Sequence, residues 1–163
     1  MTLSISVQYA SKSANLPARA QVRRWALAAH NGVGDGDAVV TIRYVDKAEG
    51  RSLNAQFRGK DYATNVLTFA SDAATEPAFL QQSTPRKKPR RSYSADIVIC
   101  APVVIAESKS QRKLAHAHHA HMVIHGMLHA QGFDHENDAE ATVMEAIEIN
   151  TLQRFRINNP YES

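Results

Sequence analysis

The stretch from His125 to His135 constrains this chain more than any other, because it can bring three imidazoles to one point. It reads HGMLHAQGFDH. Residues four apart lie on one face of a helix, one turn above the other, so the rings of His125 and His129 can converge. Gly132 follows, and glycine is the usual residue at which a helix ends in the left-handed conformation. The chain can then turn back and bring His135 towards the first two histidines.

Three neutral imidazoles that leave room for a water as fourth ligand form the open arrangement of a catalytic zinc. A structural zinc normally recruits thiolates, and Cys100 is the only cysteine. We therefore expect one Zn²⁺ per chain, held by His125, His129 and His135. Such an ion lowers the pKa of its bound water towards ~7, which makes the site hydrolytic. Imidazole also suits nickel and copper, so these residues leave the identity of the metal open.

The segment from His116 to His135 holds seven of the eight histidines, and they cannot all be ligands. A histidine-rich helix can be a solvated face or an adventitious metal binder. The H-x3-H pair, the glycine and the third histidine coincide here, which favours the metal site. The zincin helix H-E-x-x-H carries a glutamate base where this chain has Gly126, so zincin-type peptide hydrolysis is disfavoured. Asp134 is a candidate base or partner to a ligand imidazole, and its alternative role is a turn residue or helix cap.

The apolar pattern predicts one domain over residues 1–163, of α+β or α/β class, with helices packed on a single layer of sheet. The strand candidates share short apolar or alternating patterns and are residues 3–9, 38–45, 65–70 and 96–104, the last of which is expected to pass into a helix around Pro102 or soon after. The helix candidates share apolar residues three and four positions apart. They lie around residues 22–29, from Asp46 to about Arg58, at 114–131 (the metal-bearing helix) and after Asn137.

Two of these helices carry more detailed predictions. Asp46 with Glu49 resembles a capping pair at the start of the second helix, and Leu53 and Phe57 are expected to face the core. Asn137 with Glu140 suggests a second cap. The apolar face of the last helix is expected to consist of Ala139, Val143, Ala146 and Ile147, with Glu148 elsewhere.

Residues 71–93 are predicted to form a long, flexible basic loop, because they have few apolar anchors and contain three prolines. Its positive charges are too dense to pack in a core. They are carried by Arg86, Lys87, Lys88, Arg90 and Arg91. One interpretation is a solubilising loop. The other is an arm that binds the phosphates of RNA.

Composition indicates a cytoplasmic protein. The formal net charge is +3, and no stretch approaches the ~20 apolar residues that cross a bilayer, so no membrane partner is expected. One cysteine excludes an intrachain disulfide framework and suits a reducing compartment.

Three ordered motifs make the chain resemble the YbeY family of bacterial rRNA maturation factors. HGMLHAQGFDH is similar to the family's H-G-x-L-H-L-x-G-Y-D-H, with Ala130 and Phe133 as apolar replacements. The segment from Arg58 to Phe69, RGKDYATNVLTF, is similar to R-G-K-x-x-x-T-N-V-L-S-F. The segment 95–99, ADIVI, is similar to G-D-I-V-I, with Ala95 in place of glycine.

The resemblance implies a mixed four-stranded sheet and a metal-dependent, single-strand-specific endoribonuclease. It implies a role in 16S rRNA 3′-end maturation and ribosome quality control, with rRNA and the small ribosomal subunit as partners. By spacing alone Arg58 cannot be told from the other arginines, but it matches a functional arginine of the family, and guanidinium grips phosphate in a bidentate way. Lys60 is its companion. The alternatives are a zinc metallohydrolase of another substrate and an assembly factor whose metal is structural.

Overall fold

The computed structural model describes residues 3–31, 37–72 and 92–162, which form one four-stranded sheet and five helices. The strands are β1 (Leu3–Ala10), β2 (Ala38–Val45), β3 (Val66–Asp72) and β4 (Tyr93–Cys100). The helices are α1 (Arg19–Asn31), α2 (Lys47–Arg58), α3 (Ala101–Ser110), α4 (Ala115–Ala130) and α5 (Asp138–Gln153). None of the helices in these ranges is long and apolar enough to cross a membrane.

The sheet is mixed, as expected. Its strand order is β1-β2-β4-β3; β1 and β4 both run parallel to β2, and β3 runs antiparallel to β4. The main core lies where α1 and α4 pack on this sheet, around Trp25, Ile97 and Leu128, which are fully buried. Among the described strands β3 lies at an edge of the sheet, and because it also contacts α4, the metal-bearing helix lies beside that edge.

The close approach of α4 to the sheet depends on Gly126. A Cβ atom on this residue would lie 2.8 Å from Cγ2 of Ile97, closer than real Cβ contacts come. The carbonyl oxygen of Gly126 accepts a hydrogen bond from Oγ1 of Thr68 on β3, at 3.3 Å. The position where a zincin has its glutamate is therefore packed against β4 and β3, with no room for a side chain.

The structure corrects the prediction for α2. Asp46 is the N-cap residue, but its side chain makes no capping bond; its carboxylate accepts from the Ser11 hydroxyl and the Lys12 backbone N–H. Glu49 pairs with Arg43 on β2, with 2.7 Å between Oε2 and Nε. These partners come from the loop after β1 and from β2, which the local sequence pattern could not reveal.

The expected core face of α2 is only half correct. Leu53 packs on a second, smaller cluster around Leu67 and Cys100. Phe57 is 55% exposed and contacts the ring of Phe69 edge-on, with 5.2 Å between centroids. The edge position of β3 explains the exposure, because no further strand among the described residues pairs with β3 to cover Phe57.

The predicted basic loop is shorter than expected at its described ends, because β3 continues to Asp72 and β4 begins at Tyr93. Residues 73–91 lie outside the described residues. The five basic residues Arg86, Lys87, Lys88, Arg90 and Arg91 fall in that range.

Candidate metal centre

His125, His129 and His135 meet beside β3. The first two occupy consecutive turns of α4, and the third lies in the segment after it. Gly132 turns the chain with a φ of +97°, and the Phe133 N–H bonds back to the Leu128 carbonyl. The ring centroids are separated by 4.5 Å for residues 125 and 129, 5.1 Å for 129 and 135, and 5.7 Å for 125 and 135. One ring nitrogen of each lies within 4.8 Å of the others, which is the convergence that the sequence predicted.

Hydrogen bonds fix the tautomers of two of these rings. His125 Nδ1 lies 2.6 Å from a carboxylate oxygen of Glu148, and His129 Nδ1 lies 2.9 Å from the backbone carbonyl of Phe133. Because an ionised carboxylate and a carbonyl can only accept, both Nδ1 atoms carry the proton in the neutral rings. Both Nε2 atoms then present lone pairs, and they face each other at 3.0 Å. Two acceptors this close repel unless a cation or proton lies near both, so the pair fits a metal ion.

Burial keeps His129 in the form that a metal requires. Its pKa is lowered by burial first, and then by the neighbouring rings of His125 and His135. A metal ligand must be the neutral imidazole, so this shift favours binding near neutral pH.

Glu148 is the residue of this centre that the sequence analysis missed. It lies on α5, is fully buried, and contacts His121 Nε2 at 2.6 Å as well as His125. The hydroxyl of Tyr161 also donates to it. Burial raises the pKa of this carboxyl, but the hydrogen bonds from His121 and His125 outweigh burial and lower the pKa to about 2. Glu148 is therefore ionised at neutral pH, in a second group of potential metal ligands formed with His121 and His125.

The predicted apolar face of α5 was wrong for the same reason. Its buried residues are Met144, Glu148, Thr151 and Leu152, whereas Val143 is 54% exposed, Ala139 and Ala146 are exposed and Ile147 is half-buried. The prediction placed all charged residues of α5 towards solvent, and it therefore assigned the wrong face of α5 to the contact with α4. One signal was available: α5 contains acidic residues but no Lys or Arg, so a buried acid there needs a partner elsewhere, and α4 supplies only histidines. The Asn137 cap, by contrast, is confirmed, since its side chain accepts from the Glu140 N–H at 2.9 Å.

Arg58 lines the same cavity as the three histidines. The cavity has a volume of about 640 Å³ and also includes Thr64, Asn65 and Thr68. One guanidinium nitrogen of Arg58 donates to the Thr68 carbonyl at 2.7 Å, and the group lies over the Phe69 ring at 5.2 Å. These contacts hold the cation at the cavity wall, and the part of the chain that the structure describes leaves its other N–H groups for a ligand. Lys60 is not one of the described residues that line this cavity.

Asp134 and Asn65 are held by local hydrogen bonds. Asp134 is exposed, lines the cavity and accepts from the His135 backbone N–H through Oδ1, at 2.8 Å. Asn65 accepts from the Val66 N–H and donates to Glu107, which in turn contacts His118 Nε2 at 2.9 Å. Asn65 thus shapes the entry to β3.

Comparison with known proteins agrees with the motifs. A family model described as Endoribonuclease YbeY matches residues 5–156. A protein of Cupriavidus pinatubonensis named Endoribonuclease YbeY is 47% identical over 151 residues, which cover 92% of this chain and 66% of that protein. A protein of the same name from Stenotrophomonas maltophilia is 44% identical, with 98% of this chain and 93% of that protein covered.

The fold is also similar to a solved structure. The solution structure of TM1509 from Thermotoga maritima matches with a TM-score of 0.54 and 22% sequence identity. The match covers 98% of this chain and 96% of that one. At this identity the similarity supports the fold alone, and it extends over nearly the whole length of both chains.

Proposed function

Because this chain belongs to the YbeY family of endoribonucleases, we propose that it is a metal-dependent hydrolase that cleaves single-stranded RNA in the cavity beside β3. The observation that carries the metal dependence is the facing pair of Nε2 atoms on His125 and His129, 3.0 Å apart. His135 completes a set of three imidazoles. This ligand type suits Zn²⁺, our choice for the bound ion.

The residues of the chain have separate tasks in this proposal. The three histidines hold the ion, and the hydrogen bonds at their Nδ1 atoms keep His125 and His129 turned towards it. A bound divalent cation supplies Lewis acidity, which activates water and offsets the charge that builds on the phosphoryl group. Asp134 lines the same cavity and is the candidate general base.

Arg58 is assigned to the scissile phosphate. Phosphodiester cleavage concentrates negative charge on the phosphoryl oxygens, and preorganised cations stabilise that charge. The guanidinium is preorganised by the Thr68 carbonyl and the Phe69 ring, so little entropy is lost when it binds an anion. Lys60, two residues after the end of α2, is proposed as its companion in binding phosphate. The five basic residues of 73–91 are proposed to contact the RNA backbone, in keeping with the electrostatic binding of single strands.

The proposed substrate in the cell is rRNA, with the small ribosomal subunit as partner. Family membership supports a role in 16S rRNA 3′-end maturation and in ribosome quality control. A net charge of +3 is compatible with an RNA partner, and the single cysteine suits the cytoplasm.

The test is a cleavage assay on a labelled single-stranded RNA and on its duplex, with elemental analysis of the same preparation. We expect about one zinc per chain, cleavage of the single strand only, and loss of cleavage on adding a chelator with recovery on adding Zn²⁺. Cleavage that persists after the metal is removed would refute the metal dependence. A folded, metal-loaded protein that leaves RNA intact would instead favour a metallohydrolase of another substrate, and unfolding by the chelator would favour a structural metal.

A further inference from the structure

We propose that Glu148 is the positioning residue of the metal centre, and that Tyr161 holds Glu148 in place. The inference rests on the proposed metal site. It assigns to Glu148 the task of fixing the proton of His125 on Nδ1, so that Nε2 is free to bind the ion. A ligand histidine commonly donates its second ring N–H to an acceptor of this kind, which orients the ring and makes it a better ligand.

The two oxygens of Glu148 have different partners. Oε1 lies 2.6 Å from His125 Nδ1, while Oε2 lies 2.6 Å from His121 Nε2 and also accepts from the Tyr161 hydroxyl. Because Oε2 is occupied by two donors, the carboxylate cannot rotate freely, and Oε1 stays directed at His125. The ring of His125 is thereby held with Nε2 towards His129.

Packing alone does not account for this arrangement. A fully buried carboxylate is costly to desolvate, and no Lys or Arg within residues 3–31, 37–72 and 92–162 pairs with it. His121, one of its two histidine partners, has its other ring nitrogen, Nδ1, buried without a hydrogen-bond partner in the described part of the chain. A well-packed apolar residue on α5 would avoid both costs. The charge lies instead one hydrogen bond away from a proposed metal ligand.

The segment after α5 closes this network. The ring of Tyr161 packs edge-on against His121, with 5.5 Å between centroids, and Lys113 Nζ donates to the carbonyl of the neighbouring Pro160. Tyr161 is 47% exposed, so it adds little to the core. Its hydroxyl reaches Glu148 all the same. Replacing Tyr161 with Phe removes the contacts of the hydroxyl with Glu148 and with His121 Nε2, which lies 3.2 Å from it, and leaves the ring in place.

The competing role for Glu148 is that of a ligand, since His121, His125 and Glu148 could themselves hold an ion. The observed separations of 2.6 Å between nitrogen and carboxylate oxygen are those of hydrogen bonds, which need a proton where a second ion would lie. We therefore expect one ion per chain, with Glu148 outside its coordination sphere.

The experiment compares Glu148→Gln and Tyr161→Phe with the wild type and with a control, Glu145→Gln, on the same helix. Zinc affinity is measured by competition with a chelating dye, and the tautomer of His125 by long-range ¹H–¹⁵N NMR of the metal-free protein. We expect the His125 proton on Nδ1 in the wild type and partly on Nε2 in Glu148→Gln. The zinc affinity of Glu148→Gln should fall about 10- to 100-fold. The zinc affinity of Tyr161→Phe should fall less than that of Glu148→Gln, and the zinc affinity of Glu145→Gln should equal that of the wild type.

Two results would overturn the proposal. One is a Glu148→Gln protein with lower thermal stability but unchanged zinc affinity and His125 tautomer, which would make Glu148 a purely structural acid. The other is a wild type with two ions per chain, one of them lost in Glu148→Gln. If Glu148→Gln does not fold, Tyr161→Phe decides by the same two measurements. Neither measurement uses RNA, so an inactive wild type would refute the proposed nuclease and leave this inference standing.

Discussion

Glu148 and His125 lie on different helices and are joined by a hydrogen bond of 2.6 Å, and this makes the two α4 histidines of the centre unequal. Removing His125 leaves a fully buried carboxylate oxygen without its donor. Removing His129 leaves only the backbone carbonyl of the half-buried Phe133 without its donor. Both histidines are proposed ligands, yet only one also compensates a buried charge.

We therefore expect His125→Ala to cost about 1–3 kcal/mol more in free energy of unfolding than His129→Ala, since an unpaired buried acceptor loses its solvation. Both variants should lose zinc and RNA cleavage. Urea denaturation of the metal-free proteins measures the difference, and removing the metal beforehand keeps ligand stabilisation out of the comparison. Equal unfolding free energies for the two variants would contradict the unequal roles.

A second prediction concerns Gly126. An alanine Cβ there would lie 2.8 Å from Cγ2 of Ile97, a fully buried residue of β4. Gly126→Ala should destabilise the protein by about 1–3 kcal/mol, despite the better helix propensity of alanine, because overpacking forces the helix off the sheet. Thermal unfolding measures this, and zinc affinity should fall with it, since His125 is the adjacent residue.

Gly50 provides the matched control for Gly126. It is also a buried helical glycine, but a Cβ there would meet its nearest neighbour, Cys100 Sγ, only at 3.4 Å. Gly50→Ala should therefore leave stability unchanged or raise it by up to about 1 kcal/mol. If both variants behave alike, close packing at residue 126 is not what excludes a side chain.

Only the part of the metal centre that lies within residues 125–135 was predictable from the sequence. The approach of His125 and His129 follows from the helical period, and that of His135 from Gly132, so eleven consecutive residues contain the information. Glu148 reaches the same site from another helix, and its contact depends on how α5 packs on α4. A pattern of apolar residues cannot identify a charged residue that is buried because it forms hydrogen bonds with histidines of another helix.

The same distinction applies to the fold. Most strand positions and helix bounds follow from short-range patterns, and the apolar stretches of β2 and β4 match their central places in the sheet. The predicted strand 96–104 is the exception, since β4 spans Tyr93–Cys100 and α3 already begins at Ala101. The exposure of Phe57 and the partners of Asp46 depend on which strand lies at the edge and which loop lies nearby. Those are properties of the assembled sheet, and the family resemblance gave the mixed four-stranded sheet but not these contacts.

A third prediction concerns pH. Burial, with a smaller effect from His118 and His116, lowers the pKa of His119 from 6.5 to about 4. The unfolded chain takes up this proton at the higher pH, so the contribution of His119 to stability is fully present above pH 6.5. It is lost as the pH falls from 6.5 towards 4. The difference between the two pKa values corresponds to about 3 kcal/mol.

His119→Phe isolates this contribution, because it keeps a ring against Tyr44, which His119 contacts edge-on at 5.6 Å. Unfolding free energies of the wild type and the variant are measured by denaturant titration at several values between pH 7 and pH 4. We expect the wild type to lose stability more steeply than the variant over this range. Parallel curves would show that the buried imidazole does not stay uncharged in the folded protein.

The last prediction separates substrate binding from metal binding at Arg58. Arg58→Ala should reduce RNA cleavage by about 10²–10³-fold, as loss of one preorganised charge-stabilising group typically does, and should leave zinc affinity unchanged. Arg58→Lys should recover only part of the activity, because an ammonium cannot reproduce the fork of donors that lies over Phe69. Arg51→Ala is the control, since Arg51 is on the same helix but paired with Asp61 at 2.7 Å. The measurement is the rate of RNA cleavage under single-turnover conditions. If Arg58→Ala cleaves RNA as fast as Arg51→Ala, Arg58 does not stabilise the reacting phosphate, and other cations must do so.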